Sequence, residues 1–244
     1  MKNKEYNKKN DKVQKVYQYA KLIVFEGGYK EQINYLRDLI ENKPYKTISI
    51  KEFFKQYIWV VFTCGFKADY VRKHWTAIKK MCCDFDVKKT TEFSADELLK
   101  LSPIKNKKKI NAIEQSCKII DEVFVNNVQE IKCKKDAQTL LKKLPFIGEI
   151  TVYHIMRNIG IDCFKPDRHI VHITKELSIS KKDLFEILCS THREYMGVID
   201  YILWRASATL HDMHPNSSLV EYALKEKNLN DIPQNESKNS TFLF

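Results

Sequence analysis

The segment Phe53–Cys64, FFKQYIWVVFTC, is apolar on nearly every side of a helix. A helix of that kind has no face to offer water, so it must be enclosed by other elements. The segments around it repeat their apolar residues at helical rather than alternating spacing, so helices enclose it. One run passes from Lys12 through Ala20 to Phe25 and is interrupted at Gly27-Gly28; the polar residues before it read as frayed. Ile33, Leu36, Leu39 and Ile40 line one face of a second run over Gln32–Ile40, with Pro44 just beyond its end. Tyr70, Val71, Trp75 and Ile78 do the same over 68–81, and Ile110, Ile113, Cys117 and Ile120 form a later stripe. Ser94 and Glu97 fit the reciprocal capping pattern of a helix start. Helical patterns over 136–144, 149–159, 168–177, 181–190, 195–211 and 218–225 complete the series. No alternating strand competes, and 6 Gly and 6 Pro in 244 residues are too few for a turn-dense β protein. The fold class is read as all-α, one helical domain over 1–226 followed by a polar tail, 227–244, read as loose.

Lys and Arg total 42 against 31 Asp and Glu, a net charge of +11. That surplus favours a polyanionic partner, nucleic acid first, although a Lys-rich surface alone would also produce it. The run Lys105–Lys109 reads as the solvated first turn of a helix rather than a dedicated binding patch. No apolar stretch approaches the ~20 residues of a membrane span, and no apolar core follows the basic start MKNKEYNKKN. The 7 scattered cysteines suggest no disulfide framework, so a reducing cytoplasm is expected, nucleoid-associated in a bacterium. There is no Gly-rich phosphate loop, HExxH or nucleophile elbow to support an NTPase, metalloprotease or serine hydrolase.

The chemistry is concentrated in Lys142–Thr174, KKLPFIGEITVYHIMRNIGIDCFKPDRHIVHIT. A helix over 136–144 ends at Pro145, a corner Pro145-Phe146-Ile147-Gly148 follows, and a new helix begins at Glu149. Leu144 and Ile147 can pack the two helices together, and Gly148 lets the backbone turn without a Cβ penalty. Such a corner aims backbone N–H groups and a positive helix end outward, which suits a DNA phosphate. The second helix buries Val152, Ile155, Met156 and Ile159 and stops at Gly160. After Ile161-Asp162-Cys163-Phe164-Lys165-Pro166, Asp167 occupies the N-cap of a helix opening with Arg168-His169-Ile170.

Together, LPFIG (144–148), Gly160 and KPD (165–167) resemble the helix-hairpin-helix "GPD" superfamily of DNA glycosylases. FIGEITVYHIMRNIG and the order GF…VRKHWTAIKKMCCDFD…KNKKKINAI are also similar to the bacterial 3-methyladenine DNA glycosylase I branch. A weaker likeness runs from Gly65 to about Ile120 and over Ile199–Arg205. The resemblance implies a two-lobed helical fold with a cleft between the lobes, acting as a monomer on double-stranded DNA with a damaged, flipped-out base. Pro145, Phe146, Ile147, Gly148 and Ile150 would form the DNA-binding hairpin, the backbone of Ile147, Gly148 and Ile150 holding a phosphate. Asp167 would face C1′ of the flipped sugar and stabilise the positive charge that builds as the N-glycosidic bond breaks. Trp59, Trp75 and Trp204 read first as core, with Tyr70 and Trp75 kept as candidates for a base pocket.

Lyases of the superfamily carry a nucleophilic Lys where Ile150 stands, so this chain is expected to be monofunctional. Only Cys189 follows His169, too few cysteines for the iron–sulfur cluster of some relatives. The cysteine–histidine zinc pair of the 3-methyladenine branch is missing, and neither HDMH (211–214) nor Cys163 with His169 and His172 makes a convincing metal site. No cofactor and no metal are therefore expected. Phe146 stands where most hairpins place a glycine, and Val60 and Ala68 stand where the branch has a base-reading Glu and a stacking Trp. Alkylated purines are the favoured target, with oxidised guanine or a mismatched base left open. The alternatives are a non-catalytic helix-hairpin-helix DNA-binding protein and a helical scaffold that ignores DNA.

Overall fold

A computed structural model describes residues 2–215 and 217–225, with side chains from residue 9 onward. Its regular elements are all helical among the described residues. In chain order they are α1 (Lys2–Glu26), α2 (Lys30–Asn42), α3 (Ile50–Thr63), α4 (Ala68–Met81), α5 (Val87–Thr91), α6 (Ala95–Leu101) and α7 (Lys107–Cys117). They continue with α8 (Glu122–Gln129), α9 (Lys134–Leu141), α10 (Thr151–Asn158), α11 (Arg168–Glu176), α12 (Lys181–His192), α13 (Met196–Met213) and α14 (Leu219–Leu224). The reading of the start as frayed is corrected, because α1 begins at Lys2. The expectation of a loose tail over 227–244 falls outside the described residues.

Two compact units result, one from the described residues of Met1–Glu41 and Asp162–Thr241, the other from those of Asn42–Ile161. In the first, α13 is the central helix and packs against α1, α11, α12 and α14. Its Val198, Ile199, Ile202, Leu203 and Ala206 share a core with Val16, Tyr17 and Ala20 of α1, Ile170 and Ile173 of α11, and Phe185 of α12. In the second, α3 is central, with α4, α5, α7, α8 and α10 against it. Phe53, Phe54, Tyr57, Ile58, Val60, Val61 and Phe62 have no exposed surface, as an all-round apolar helix requires. Each such side chain contributes roughly 1.5–3 kcal/mol by leaving water.

Short polar side chains fix most helix starts. Ser49, Asp86, Asn106, Asp121, Ser180 and Ser218 each accept a first-turn backbone N–H. At α6 the full reciprocal box forms: Ser94 accepts from Glu97 N–H, and Glu97 accepts from Ser94 N–H at 2.8 Å. Helices α5 and α8 escape a periodicity reading because they are short, five and eight residues long.

The basic run behaves differently from the expectation at one position. Lys107 and Lys108 face solvent, but Lys109 is 3% exposed. Its ammonium donates to the Val61 and Cys64 carbonyls at the end of α3 and lies 5.4 Å from the Phe66 ring and 4.5 Å from that of Phe146. Desolvation lowers its pKa below the usual lysine value. Burial is tolerated because the carbonyl end of a helix carries partial negative charge and two ring faces add to it.

Helix α10 ends as its sequence requires. Gly160 adopts φ +85°, its N–H donates to Arg157 O and the next N–H, from Ile161, reaches back to Met156 O. This is the double C-terminal bond pattern that needs a left-handed residue. Gly160→Ala is expected to cost about 1 kcal/mol, read as a lower urea midpoint at unchanged slope; an unchanged midpoint would contradict the assignment.

Candidate active site and nucleic-acid interface

The hairpin lies wholly within the Asn42–Ile161 unit. Leu144 and Ile147 are buried between α9 and α10, and Val152, Ile155, Met156 and Ile159 are buried behind them. The Tyr57 hydroxyl, from the core helix α3, donates to Pro145 O at 2.7 Å and so ties the corner to the centre of the unit. The two helices are shorter than their sequence patterns, α9 closing at Leu141 and α10 opening at Thr151, so the corner is longer than four residues.

Two expectations about that corner are corrected. The turn's left-handed residue is Phe146, at φ +70°, whereas Gly148 has an ordinary φ and open space around its missing Cβ. A left-handed conformation costs a side-chain-bearing residue roughly 1–2 kcal/mol; the ring of Phe146 offsets part of this by lying over Lys109. The second correction concerns backbone donors. Ile147 N–H is taken by Leu144 O at 3.2 Å, and Gly148 N–H by Thr151 Oγ1 at 2.7 Å. Among the described residues the N–H groups of Glu149 and Ile150 make no such bond, so they remain the uncommitted donors of the corner. Ile150 and Phe146 are both exposed, and Lys142 is paired with Glu149 at 2.5 Å.

The candidate base-pocket pair separates. Trp75 is a core residue of its unit, 6% exposed and set edge-on against Trp59, because the apolar face of α4 turns it inward. A pocket role for Trp75 is therefore withdrawn. Tyr70 is exposed and stacks on Phe66 at 5.7 Å. Val60, at the position where the 3-methyladenine branch would read the base, is fully buried.

Asp167 belongs to the other unit, where the chain from Asp162 to Asp167 is held at three points. Asp162 Oδ1 accepts from Gly197 N–H at 2.7 Å, Cys163 is buried, and Phe164 stacks on Phe185 at 4.2 Å. Gly197 permits this approach, since a Cβ there would stand 3.3 Å from Cys163 O and 3.1 Å from Ile40 Cδ1. The half-buried Asp167 then caps α11. Its Oδ1 accepts from both His169 N–H, 3.0 Å, and Ile170 N–H, 3.3 Å. Oδ2 makes no hydrogen bond or ion pair among the described residues. One carboxylate oxygen is thus fixed by the helix and the other is an uncommitted acceptor. Beside it, burial lowers the His169 pKa, partly opposed by the Asp167 charge.

Among the described residues no three His, Cys, Asp or Glu side chains converge as metal ligands, and no helix is long and apolar enough to cross a membrane. No family model, curated protein or solved structure matches the chain.

Two stability predictions follow from this geometry. Asp167→Ala is expected to lose about 1 kcal/mol, and Asp167→Asn only a few tenths, because Asn caps as well as Asp; equal losses in urea unfolding would contradict the cap. Burial also lowers the His192 pKa. The unfolded chain therefore takes up protons at His169 and His192 before the folded chain does. Their contribution is complete above about pH 6.5 and is lost as pH falls from there toward the folded values. Unfolding free energy measured from about pH 7 to 5.5 should fall less steeply in His169→Gln than in wild type; parallel profiles would contradict this.

Proposed function

We propose that this protein is a monofunctional DNA glycosylase that holds duplex DNA on the hairpin and hydrolyses the N-glycosidic bond of a flipped, damaged base with Asp167. The observation that carries the reading is the division of labour within one carboxylate. Oδ1 is fixed by two backbone donors and Oδ2 is left as a free acceptor. Breaking the bond between C1′ and the base moves electrons onto the leaving base and leaves a sugar cation. A carboxylate oxygen held at a set position stabilises that cation without reorganising and can orient the incoming water. Positive charge on an alkylated purine makes it a better leaving group, which favours that substrate class.

The hairpin supplies affinity rather than chemistry. In this reading the uncommitted N–H groups of Glu149 and Ile150 meet a phosphate, and the +11 net charge adds a salt-sensitive attraction. No lysine stands at position 150, so an abasic site is the expected product and strand cleavage by a Schiff base is not. The chain is expected to work as a monomer, without a cofactor.

Duplex oligonucleotides carrying a panel of alkylated, oxidised and mismatched bases test this. After incubation and alkali, wild type should produce a break at one class of lesion. Asp167→Asn should bind the same duplex within about twofold yet release base at least about a hundredfold more slowly, a loss of the size that removing one electrostatic stabiliser gives. Salt-dependent binding with no release by either protein would replace the enzyme with a non-catalytic DNA-binding protein. For the hairpin, Ile150→Glu should weaken duplex binding about tenfold near 50 mM salt, with a smaller effect near 200 mM; unchanged binding would remove DNA from the corner.

A further inference from the structure

Helices α11 and α13 and the approach to α14 enclose an open cavity of about 610 Å³ within the unit that carries Asp167. Its charged and titratable walls are Arg168, His169, His172 and Glu176 from α11, His211 from α13 and Glu221 from α14. The acidic groups are already satisfied. Glu176 takes His172 Nε2 at 2.7 Å on one oxygen and the Ser218 hydroxyl at 2.7 Å on the other. Glu221 is paired with Lys225 at 3.0 Å.

The donors are not satisfied in the same way. Arg168 has no ion pair among the described residues, and its Nε meets only His169 Nε2, at 3.4 Å. His211 makes no hydrogen bond there. A guanidinium fork and two imidazoles lining one cavity, with the two carboxylates of its wall, Glu176 and Glu221, already paired, call for an anion with several acceptor oxygens.

We infer that Arg168, His169 and His211 form a binding site for a phosphate group. The cavity is larger than phosphate alone and open to solvent, so the group is carried by a larger molecule, a nucleotide or a nucleic-acid strand. The site does not depend on the reading of Asp167, since it takes phosphate whether or not the chain cleaves a base.

The histidine ring resonances of the full-length protein report on the site directly. Inorganic phosphate, titrated at about pH 6.5 and fixed ionic strength, should shift His169 and His211 saturably and leave His74 in place. Arg168→Gln should weaken the response at least about tenfold, as loss of a charge-assisted bond does. The exposed position of Arg168 on the helix surface keeps that variant folded. Deoxyadenosine monophosphate and a short single strand then identify the source. Tighter binding of the strand assigns a backbone phosphodiester, and equal or tighter binding of the monophosphate assigns a free phosphate monoester; either supports the site. Shifts reproduced by chloride at equal ionic strength, or shifts unchanged in Arg168→Gln, would overturn it.

Discussion

The ammonium of Lys109 is the interaction on which the hairpin-bearing unit depends. It is buried with no carboxylate paired to it among the described residues, and its partners are the last carbonyls of α3 and two aromatic rings. Stranding a charge in this way costs several kcal/mol unless every partner is in place. The end of α3, the first turn of α7, Phe66 and the hairpin corner must therefore be positioned together. Tyr57 strengthens the same junction: its hydroxyl donates to Pro145 O at 2.7 Å and lies 3.1 Å from Ala112 O. The hairpin is consequently an extension of the unit's core rather than a loop laid upon it. Phe146 makes sense in that setting. Its backbone has the left-handed conformation that a glycine would take without strain, and a glycine would leave the ammonium uncovered on that side.

Asp167 depends on a different set of contacts. Its orientation comes from α11, and the chain leading to it is fixed by Asp162 against Gly197 and by Phe164 against Phe185. These contacts fix the position of the carboxylate, as electrostatic stabilisation of a developing cation would require under the proposed function. An aspartate that served only as a cap could use both oxygens for the helix. Here one oxygen accepts from both N–H groups, and the second has no hydrogen-bond partner among the described residues.

Much of this was legible in the residues. The all-round apolar pattern of Phe53–Cys64 marked a central helix, Ser94 with Glu97 marked a capping box, and Gly160 and Asp167 marked the end of one helix and the start of another. What stayed hidden depends on contacts between segments distant in sequence. Lys109 reads as one more solvated lysine until α3 ends beside it, and Gly197 reads as an ordinary helix glycine until Cys163 O approaches it. Trp75 reads first as core with a pocket role kept open, and its edge-on packing against Trp59 agrees with the core reading. A motif can place a glycine in a turn, but which residue takes positive φ is settled by the surrounding contacts, here at Phe146 rather than Gly148. The donors of the corner illustrate the same limit. Thr151 occupies the Gly148 N–H through its side chain, which the spacing of LPFIG does not reveal.

The central claim is that a base leaves DNA by hydrolysis at Asp167. It is tested most directly by incubating the protein with alkylated duplex DNA, filtering, and identifying free bases in the filtrate by mass spectrometry, with borohydride added to a parallel sample. The account predicts a methylated purine in the filtrate from wild type, none above background from Asp167→Asn, and no covalent protein–DNA adduct after reduction. An empty filtrate across alkylated, oxidised and mismatched substrates would contradict catalysis, and a borohydride-trapped adduct would contradict the hydrolytic, monofunctional mechanism.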